Sequence, residues 1–455
     1  APLTDQRGFN RISDGTIDIG AVELQFFNVT NTNDSGSGSL RNALSLSNQF
    51  ADDNIVKINI PTSDPNCSSG ACTVKLTSGE LQVSNGAVLV TNPSGTSQVR
   101  ISGESTSRVF YVLSGAELRT ENLSIMNGNE SGGGGFLNEG TLVLIRTTVR
   151  GNSVSGSGAG IYNNFGNLTL INSTVSANTA VGSGGGIYNF YGTVNLFNST
   201  VSHNAVTNNG GGGVVSFFGT FNARNTIIAN NSVSTISPDF AGTLTSQGNN
   251  LIGNTSGTSG TIASDITGQN PLLTPLGYYG GGTWTRALLT TSPALNAGNN
   301  CVTDLSCSPN NPPSAITTDQ RGASRTDSGR GTAVDIGGYE VNTGYVANLP
   351  NGMQSSSYSF QISQYQTSEG TFNFSMTGLP SGLSLTQTTS GGVVTVQITG
   401  TPAQTGSFTP QLTITSGGQT ATVNYSLFVM APTAASVSIG GRVFGGSGRG
   451  LRNAY

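Results

Sequence analysis

The chain of 455 residues is long enough for about two to four domains. Only 9% of its residues are charged, against about 25% in an average soluble domain, and its 65 glycines disfavour a helix-rich architecture. With only two lysines, Lys57 and Lys75, the chain has little with which to bind phosphate, which argues against nucleic-acid binding. No apolar run reaches the roughly 18 residues that membrane insertion requires.

The first segment, residues 1–23, repeats a later one: APLTDQRGFNRISDGTIDIGAVE matches ITTDQRGASRTDSGRGTAVDIGGYE at 316–340. Four charged residues recur in it, Asp5, Arg7, Asp18 and Glu23 as Asp319, Arg321, Asp335 and Glu340. We interpret them as a salt-bridge network rather than a catalytic site. The segment also carries an apolar strand that needs a partner edge, with Ile17, Ile19 and Val22. Either the chain is part of a longer polypeptide, or this strand completes a neighbouring copy in a polymer.

Residues 24–61 are predicted to form an N-terminal cap. They contain the best helix signal in the chain, with Ser39 as N-cap before Leu40, Ala43 and Leu44. A repetitive fold needs such a cap because an exposed terminal strand invites edge-to-edge pairing.

The four cysteines form two local pairs in loops rich in Pro, Ser, Asn and Gly. We predict the disulfides Cys67 with Cys72 and Cys301 with Cys307. The alternative is free thiols or a soft-metal site, but neither spacing is CxxC and no histidine is near. The pairs favour an oxidising, extracellular or cell-surface location, and we expect no metal or cofactor.

An internal repeat defines the fold of residues 62–268. GTLVLIRTTVRGN starts at Gly140, and related units start at Gly166, Gly192 and Gly219, with periods of 26, 26 and 27 residues. Each unit holds short alternating runs, which suits strands that stack on their copies rather than a hairpin sandwich. The sequence therefore predicts an all-β fold with a right-handed parallel β-helix of about 26-residue rungs.

Stacked units predict ladders of like side chains. Ile161, Ile187 and Val214 should form one inward aliphatic ladder, and Leu142, Leu168, Val194 and Phe221 another. A structural asparagine ladder is expected at one turn, formed by Asn152, Asn178, Asn204 and Asn230.

A polysaccharide-cleaving enzyme is the rival hypothesis, because lyases and hydrolases also use parallel β-helices. Hydrolysis needs two carboxylates about 5–9.5 Å apart, and Glu104 and Glu130 are the best candidates, although solvated loop positions are the favoured interpretation of both. Asp52 and Asp53 precede the rungs. His203 falls at a repeat position that we align with Ala177 and Ala229, which indicates a tolerated substitution. We therefore expect no catalytic residues.

Residues 269–341 are expected to close the other end of the β-helix. Trp284 with Tyr278 and Tyr279 could form a sugar-stacking platform, but an aromatic plug on the terminal rung is favoured. NDSGSGSLRNAL, SQGNNLIG, NPLL, SPALNAG and DQRG with DIGGYE resemble, over residues 25–341, the bacterial choice-of-anchor Q surface domains related to polymorphic outer-membrane protein repeats. Asn270 and Asn296 depart from it, since the family commonly has Asp there. The resemblance implies a surface location.

After Glu340 the pattern changes to alternating strands with frequent turns, which predicts an Ig-like β-sandwich over residues 342–432. GLPSGLSL followed by ITGTPAQTGSFT resembles the Ig-like domains of bacterial surface proteins. Residues 433–455 resemble the opening strands of a carboxypeptidase-regulatory-like domain and hold a second apolar strand, with Val437, Ile439 and Val443.

The sequence thus favours an extracellular, non-enzymatic structural protein, assembled head-to-tail with itself by strand complementation into a fibre or long stalk. One alternative is an adhesin that binds surface polysaccharide or other cells. The other is a polysaccharide lyase or hydrolase.

Overall fold

The computed structural model describes residues 4, 6, 24–68, 70–93, 98–208, 210–233, 239–308, 311–326 and 331–432. The residues expected to mediate assembly lie outside this part of the chain: Ile17, Ile19, Val22, Val437, Ile439 and Val443. Within it, the predicted all-β fold is confirmed, with a parallel β-solenoid followed by an Ig-like domain.

Four sheets form the sides of the solenoid. Their strands pair in parallel, except that Cys67–Ser68 pairs antiparallel with the strand Ala71–Lys75. Sheet 1 contains Gln25–Val29, Asp53–Ile58, Ala87–Thr91, Glu117–Glu121, Thr141–Ile145, Asn167–Ile171, Thr193–Phe197, Thr220–Arg224 and Thr245–Ser246. Sheet 2 contains Cys67–Ser68, Ala71–Lys75, Gln98–Ser102, Ser124–Met126, Thr148–Arg150, Thr174–Ser176, Thr200–Ser202, Ile227–Ala229, Leu251–Ile252 and Ile266–Thr267. Sheet 3 contains Asn129–Glu130, Ser153–Val154, Thr179–Ala180, Ala205–Val206 and Ser232–Val233. Sheet 4 contains Leu81–Val83, Phe110–Val112, Phe136–Asn138, Ile161–Asn164, Ile187–Phe190, Val214–Phe217, Phe240–Thr243 and Thr258–Ser259.

Both predicted aliphatic ladders are present inside the solenoid. Ile161 pairs with Ile187 and Ile187 with Val214, and all three side chains are fully buried. The ladder of Leu142, Leu168, Val194 and Phe221 is equally buried and in register. A single turn cannot cover its own apolar side chains. These side chains are buried only because neighbouring turns stack on it from both sides.

The asparagine ladder is displaced by one residue from its predicted end. Asn152 donates to Asn178 and Asn178 to Asn204, each over 2.8 Å, and Asn204 donates to Asn231 over 2.9 Å. The prediction of Asn230 was wrong because the last period is 27 residues, so that the equivalent of Asn204 is Asn231. Asn230 instead matches His203, and both have a positive φ.

The glycines in the runs have two roles: some adopt a left-handed backbone conformation, and others let neighbouring turns pack closely together. Gly184 has a φ of 60°, as expected at a tight corner. At Gly186, a Cβ would lie 2.8 Å from the carbonyl oxygen of Gly213 and 2.9 Å from Nδ2 of Asn204. Glycine is therefore needed here to let neighbouring turns and the ladder pack together.

The predicted capping helix spans Leu40–Ser47, and the Ser39 side chain accepts a hydrogen bond from the backbone N–H of Asn42. It buries Leu40, Ala43 and Leu44 in the solenoid core. The stacked sheet begins earlier than residue 62, however, since Gln25–Val29 and Asp53–Ile58 already pair in parallel.

Residues 269–341, here called the returning segment, lie along the flank of the solenoid rather than only closing its end. Gln320 Nε2 donates to Thr148, Arg286 Nε to Ser176, and the backbone N–H of Gly338 to Thr200, all on the outer face of sheet 2. Small hydroxyl side chains there leave room for a second layer of chain. Among its described residues, the segment contains one short helix, Cys301–Asp304.

The Ig-like domain has two sheets and one 3₁₀ turn, Thr367–Glu369. One sheet contains Val346–Asn348, Gly352–Met353, Asn373–Thr377, Gly406–Phe408, Gln411–Ser416 and Gln419–Met430, and the other Tyr358–Gln366, Leu383–Ser390 and Val393–Gly400.

This domain packs beside the solenoid. Tyr278 of the returning segment donates its backbone N–H to Ile362 over 2.7 Å, and Tyr425 donates its hydroxyl to Tyr278 over 2.7 Å. Gly70, in an early turn, contacts Pro350 so closely that a Cβ would overlap the proline ring. The Ig-like domain is therefore held against the flank along several turns.

Candidate functional site: an exposed aromatic corner

The corner between sheets 4 and 1 carries an aromatic residue in three successive turns. Phe165, Tyr191 and Phe218 each precede a glycine and have φ values of 55°, 54° and 54°. A left-handed backbone is unfavourable by roughly 1–2 kcal/mol for a residue with a Cβ, so the surrounding structure must hold it in place.

A second, internal asparagine ladder holds this corner. Asn138 donates to Asn163 over 2.7 Å, and Asn163 donates to Asn189 over 2.8 Å. Asn163 also donates to the carbonyl oxygen of Gly166, directly after Phe165, over 2.9 Å. These buried amides fix the backbone beneath the aromatic residues, which makes the corner rigid.

The rings form two columns along the solenoid axis. In the first, Phe165 and Tyr191 stack with centroids 5.2 Å apart and Tyr191 and Phe218 at the same distance. In the second, Phe190 stacks on Phe217 at 5.8 Å, and its ring is perpendicular to that of Tyr191. The spacing follows the distance between turns.

The aromatic corner is exposed to an unusual degree. The exposed fractions are 65% for Phe165, 47% for Tyr191, 44% for Phe217 and 72% for Phe218. Exposed apolar residues that are scattered singly need no explanation, whereas a contiguous patch marks an interaction surface.

Neutral polar groups flank the rings on both sides. On sheet 1, Asn222 donates to Asn195 over 2.9 Å. On sheet 4, Tyr162 and Tyr188 contact edge-to-face at 5.2 Å, and burial raises the pKa of both hydroxyls, which therefore stay neutral hydrogen-bonding groups. The repeat from Gly140 to Asn231 contains no Asp or Glu.

Sequence reasoning missed this corner, although a signal was present. The tripeptides NNF, NFY and SFF each end directly before the glycine that opens a repeat unit. Their alignment shows aromatic residues at one turn position, where a soluble protein would ordinarily place Asn, Asp or Gly.

The aromatic residues that the sequence singled out are buried. Trp284, Tyr278 and Tyr279 are exposed by only 1%, 2% and 0%. They cannot form a sugar platform, and they do not plug the terminal rung either. The Trp284 carbonyl accepts from Gln320 on the flank of sheet 2, and Tyr278 lies against the Ig-like domain.

The carboxylates considered for catalysis are not stacked on one another. Ser102 pairs with Met126, a step of 24 residues, so Glu104 and Glu130 occupy different positions of their turns. Glu104 contacts Lys75 at 3.8 Å and accepts from Ser102, and Glu130 lies in sheet 3.

His203 lies at the junction of all three parts of the structure. Its Nε2 is 3.7 Å from Oε2 of Glu369 in the Ig-like domain, and Arg286 of the returning segment donates to the same oxygen over 2.7 Å. Burial and Arg286 lower the His203 pKa to about 3, against the opposing effect of Glu369. His203 is therefore neutral, and its place is structural.

The charged network predicted for the returning segment is present in its described copy. Arg321 pairs with Asp319 over 2.8 Å, and Arg325, which the sequence did not suggest, pairs with Glu340 over 3.0 Å. Asp335 accepts backbone N–H groups of Asn296 and Val341. The earlier copy, Asp5, Arg7, Asp18 and Glu23, lies outside the described residues.

Both predicted disulfides, Cys67–Cys72 and Cys301–Cys307, are formed. No helix in the described ranges is long and apolar enough to cross a membrane. Among the same residues, no cluster of three or more His, Cys, Asp or Glu side chains could hold a metal ion.

Comparison with known proteins identifies one domain. The family described as "Putative Ig domain" matches residues 341–430, which confirms the predicted Ig-like domain; the choice-of-anchor Q resemblance stays a prediction. No curated protein matches the chain. Among solved structures, the chain is similar to the endo-fucoidan hydrolase MfFcnA4 of glycoside hydrolase family 107 and to a variant of that enzyme, each with 18% identity and a TM-score of 0.16. These matches cover 19% of this chain and only 13% of the enzyme chain, too little to indicate an activity.

Proposed function

We propose that the chain is a non-enzymatic structural unit of an extracellular surface protein. The observation that carries this proposal is the close attachment of the Ig-like domain to the solenoid, through the hydrogen bonds of Tyr278 and the buried contact of Arg286 with Glu369. A stalk or fibre subunit must transmit force without hinging, and such a joint supports that role. The two disulfides fit an oxidising environment.

Head-to-tail assembly is part of this proposal, with residues 1–23 and 433–455 as the complementing strands. Electron microscopy of the full chain and of a variant lacking residues 1–23 tests it. We expect fibres that disappear in the truncated variant. Single particles in both samples would contradict polymer formation and leave a monomeric stalk.

The aromatic corner favours a second role, contact with neutral glycans, as in the adhesin alternative. Pyranose rings present C–H faces that pack on aromatic rings, while their hydroxyls bond to neutral amides and hydroxyls such as those of Asn195, Asn222 and Tyr188. The side chains that stack at the corner are uncharged, and so are Asn195, Asn222 and Tyr188 beside them, which suits a neutral ligand.

Glycan-array binding by the full chain tests this second role. We expect binding to neutral oligosaccharides that is lost when Tyr191 and Phe218 are both replaced by serine. Ile262→Ser is the control, since Ile262 is 48% exposed but lies outside the aromatic corner. Equal binding by the two variants, or none by the unaltered chain, would contradict glycan contact.

A further inference from the structure

Two arginines lie on the outer face of sheet 2 without an acidic partner. Arg100 pairs with Ser124 in the next turn, and Arg150 pairs with the other end of that same strand, at Met126. Their two strands therefore lie on either side of the single strand Ser124–Met126. Within the described residues, neither makes a salt bridge, whereas Arg108, Arg119 and Arg146 each do.

Trp284 of the returning segment covers this pair. The guanidinium carbon of Arg150 is 4.4 Å from the centroid of the Trp284 ring, and that of Arg100 is 5.6 Å away. Cation–π contact compensates part of the cost of removing a guanidinium from water, but it supplies no hydrogen-bond acceptor.

Hydrogen-bond donors are in excess at this place. Three nitrogen donors are buried without an acceptor in the structure: Nε of Arg150, Nε1 of Trp284 and Nε2 of Gln98. Gln98 uses its oxygen to accept from Arg100 over 3.0 Å, and Arg150 otherwise reaches only the sulfur of Met126, at 3.3 Å. Buried donors without partners are rare in native proteins, because each one costs about 1–3 kcal/mol.

The electrostatics agree with this geometry. Burial lowers the pKa of Arg100 to about 10, and burial together with the positive charge of Arg100 lowers that of Arg150 to about 9. Both groups remain cations at neutral pH, so two like charges lie close together in a poorly hydrated place.

From this geometry we infer that Arg100, Arg150, Gln98 and Trp284 form a binding site for a small oxyanion group. A carboxylate, sulfate or phosphate group accepts several N–H donors at once and neutralises paired guanidinium groups. Arg150 is almost fully buried, whereas Arg100 is only half-buried, so the oxyanion would approach from the Arg100 side. The group could be a free ion or a substituent of an acidic saccharide, since both present the same chemistry.

The chain offers a local probe, because Trp284 is its only tryptophan. Sodium sulfate, phosphate and acetate are titrated into the full chain while Trp284 fluorescence is recorded, with sodium chloride at matched ionic strength as reference. We expect a saturable change with at least one oxyanion and none with chloride. A sulfated and a uronate oligosaccharide are titrated in parallel, and tighter binding of either would identify the substituent rather than the free ion as the ligand.

Arg100→Gln and Arg150→Gln should each weaken this binding about tenfold or more, the equivalent of one lost charge-assisted bond. Arg119→Gln is the matched control, since Arg119 is exposed and lies on sheet 1. If Arg150→Gln does not fold, Arg150→Lys keeps the charge and should still weaken binding. A response to chloride equal to that to the oxyanions, or unchanged binding in the Arg100 and Arg150 variants, would overturn the site.

Discussion

Inward asparagines satisfy much of the polar backbone of this solenoid. Asn178 donates to the carbonyl oxygens of Val149 and Ser176 as well as to Asn204, and its own oxygen accepts from Asn152. One amide thus bonds three successive turns. Because these groups are buried, removing the side chain leaves several donors and acceptors unsatisfied at once.

The end of this ladder gives the first prediction. Asn231→Ala should lower the free energy of unfolding by about 2–4 kcal/mol, because Asn231 bonds Asn204, Val201 and Ala229 in the core. Asn230→Gly should change it by less than about 1 kcal/mol, since glycine tolerates the φ of 60° at this position. Urea denaturation of both variants measures the difference. A larger loss of stability in Asn230→Gly than in Asn231→Ala would mean that Asn230, and not Asn231, belongs to the ladder.

His203 gives the folded state a dependence on pH. Its pKa is about 3 when folded and 6.5 when unperturbed, so below about pH 6.5 the unfolded chain takes up a proton that the folded chain refuses. Stability should therefore fall as the pH is lowered towards 3, by up to about 1.4 kcal/mol per pH unit. The ionisable side chains beside it are those of Arg286 and Glu369. Burial by itself would raise the Glu369 pKa, but Arg286 and His203 lower it by more. The pKa of Glu369 therefore lies below its usual value.

His203→Ala isolates this effect, because Ala177 already occupies the equivalent position with a φ of 57°. Between pH 7 and pH 5, the loss of stability in urea should be smaller by about 2 kcal/mol in the variant than in the unaltered chain. Other buried acids such as Glu340 titrate in both proteins and cancel in the comparison. Equal losses in the two proteins would show that His203 is protonated when folded.

At this scale the sequence predicts inward positions well and outward ones poorly. The period of the repeat identifies Asn152, Asn178 and Asn204, because a stacked amide must recur in register. It does not indicate that Arg100 and Arg150 lie beneath Trp284, since the residues that meet there are about 130–180 positions apart. Contacts of that kind depend on tertiary packing, which leaves no local pattern.

Among the elements, the returning segment departs furthest from prediction. A closing cap was expected, yet the segment covers the outer face of sheet 2, where Thr174 bonds both Thr285 and Gln320. Its irregular chain offers no periodicity that would reveal its path. The row of small Thr and Ser side chains on sheet 2 is the one sequence feature consistent with a second layer.

The charged network anchors this segment, and Arg325 is its centre. Arg325 is fully buried and donates to Glu340, to Asn172 of the solenoid over 2.9 Å and to the carbonyl oxygen of Gly337 over 2.8 Å. Arg325→Gln should destabilise the segment by about 3–5 kcal/mol, because it leaves Glu340 buried without its partner.

Hydrogen exchange with mass spectrometry measures this locally. We expect faster exchange in peptides from 311–326 and 331–341 of Arg325→Gln, with little change in sheet 4. Arg119→Gln, on the exposed surface, should show neither effect. Uniformly faster exchange over the whole solenoid would mean that the segment and the sheets unfold as one unit.

For the whole molecule, the decisive feature is that solenoid, returning segment and Ig-like domain share buried contacts. One hydrophobic cluster includes Leu276 and Trp284 of the segment together with Ile362 and Tyr425 of the Ig-like domain. The sequence predicts both domains but not their side-by-side arrangement, because a linker of ordinary length permits either an extended or a folded-back arrangement. Only the paired surfaces decide between them.

The junction of His203, Arg286 and Glu369 should control whether the domains unfold together. Glu369→Lys removes the carboxylate partner of Arg286 and places a lysine beside Arg286 and His203. We expect this change to separate the Ig-like domain from the flank of the solenoid. Calorimetry should then show two transitions in place of one, and small-angle scattering a larger maximum dimension. Glu117→Lys, a charge reversal in sheet 1 of the solenoid, should leave both measurements unchanged. Two transitions in the unaltered chain would instead mean that the shared hydrophobic cluster does not couple the unfolding of the domains. That result would contradict the rigid attachment on which the proposed structural role depends.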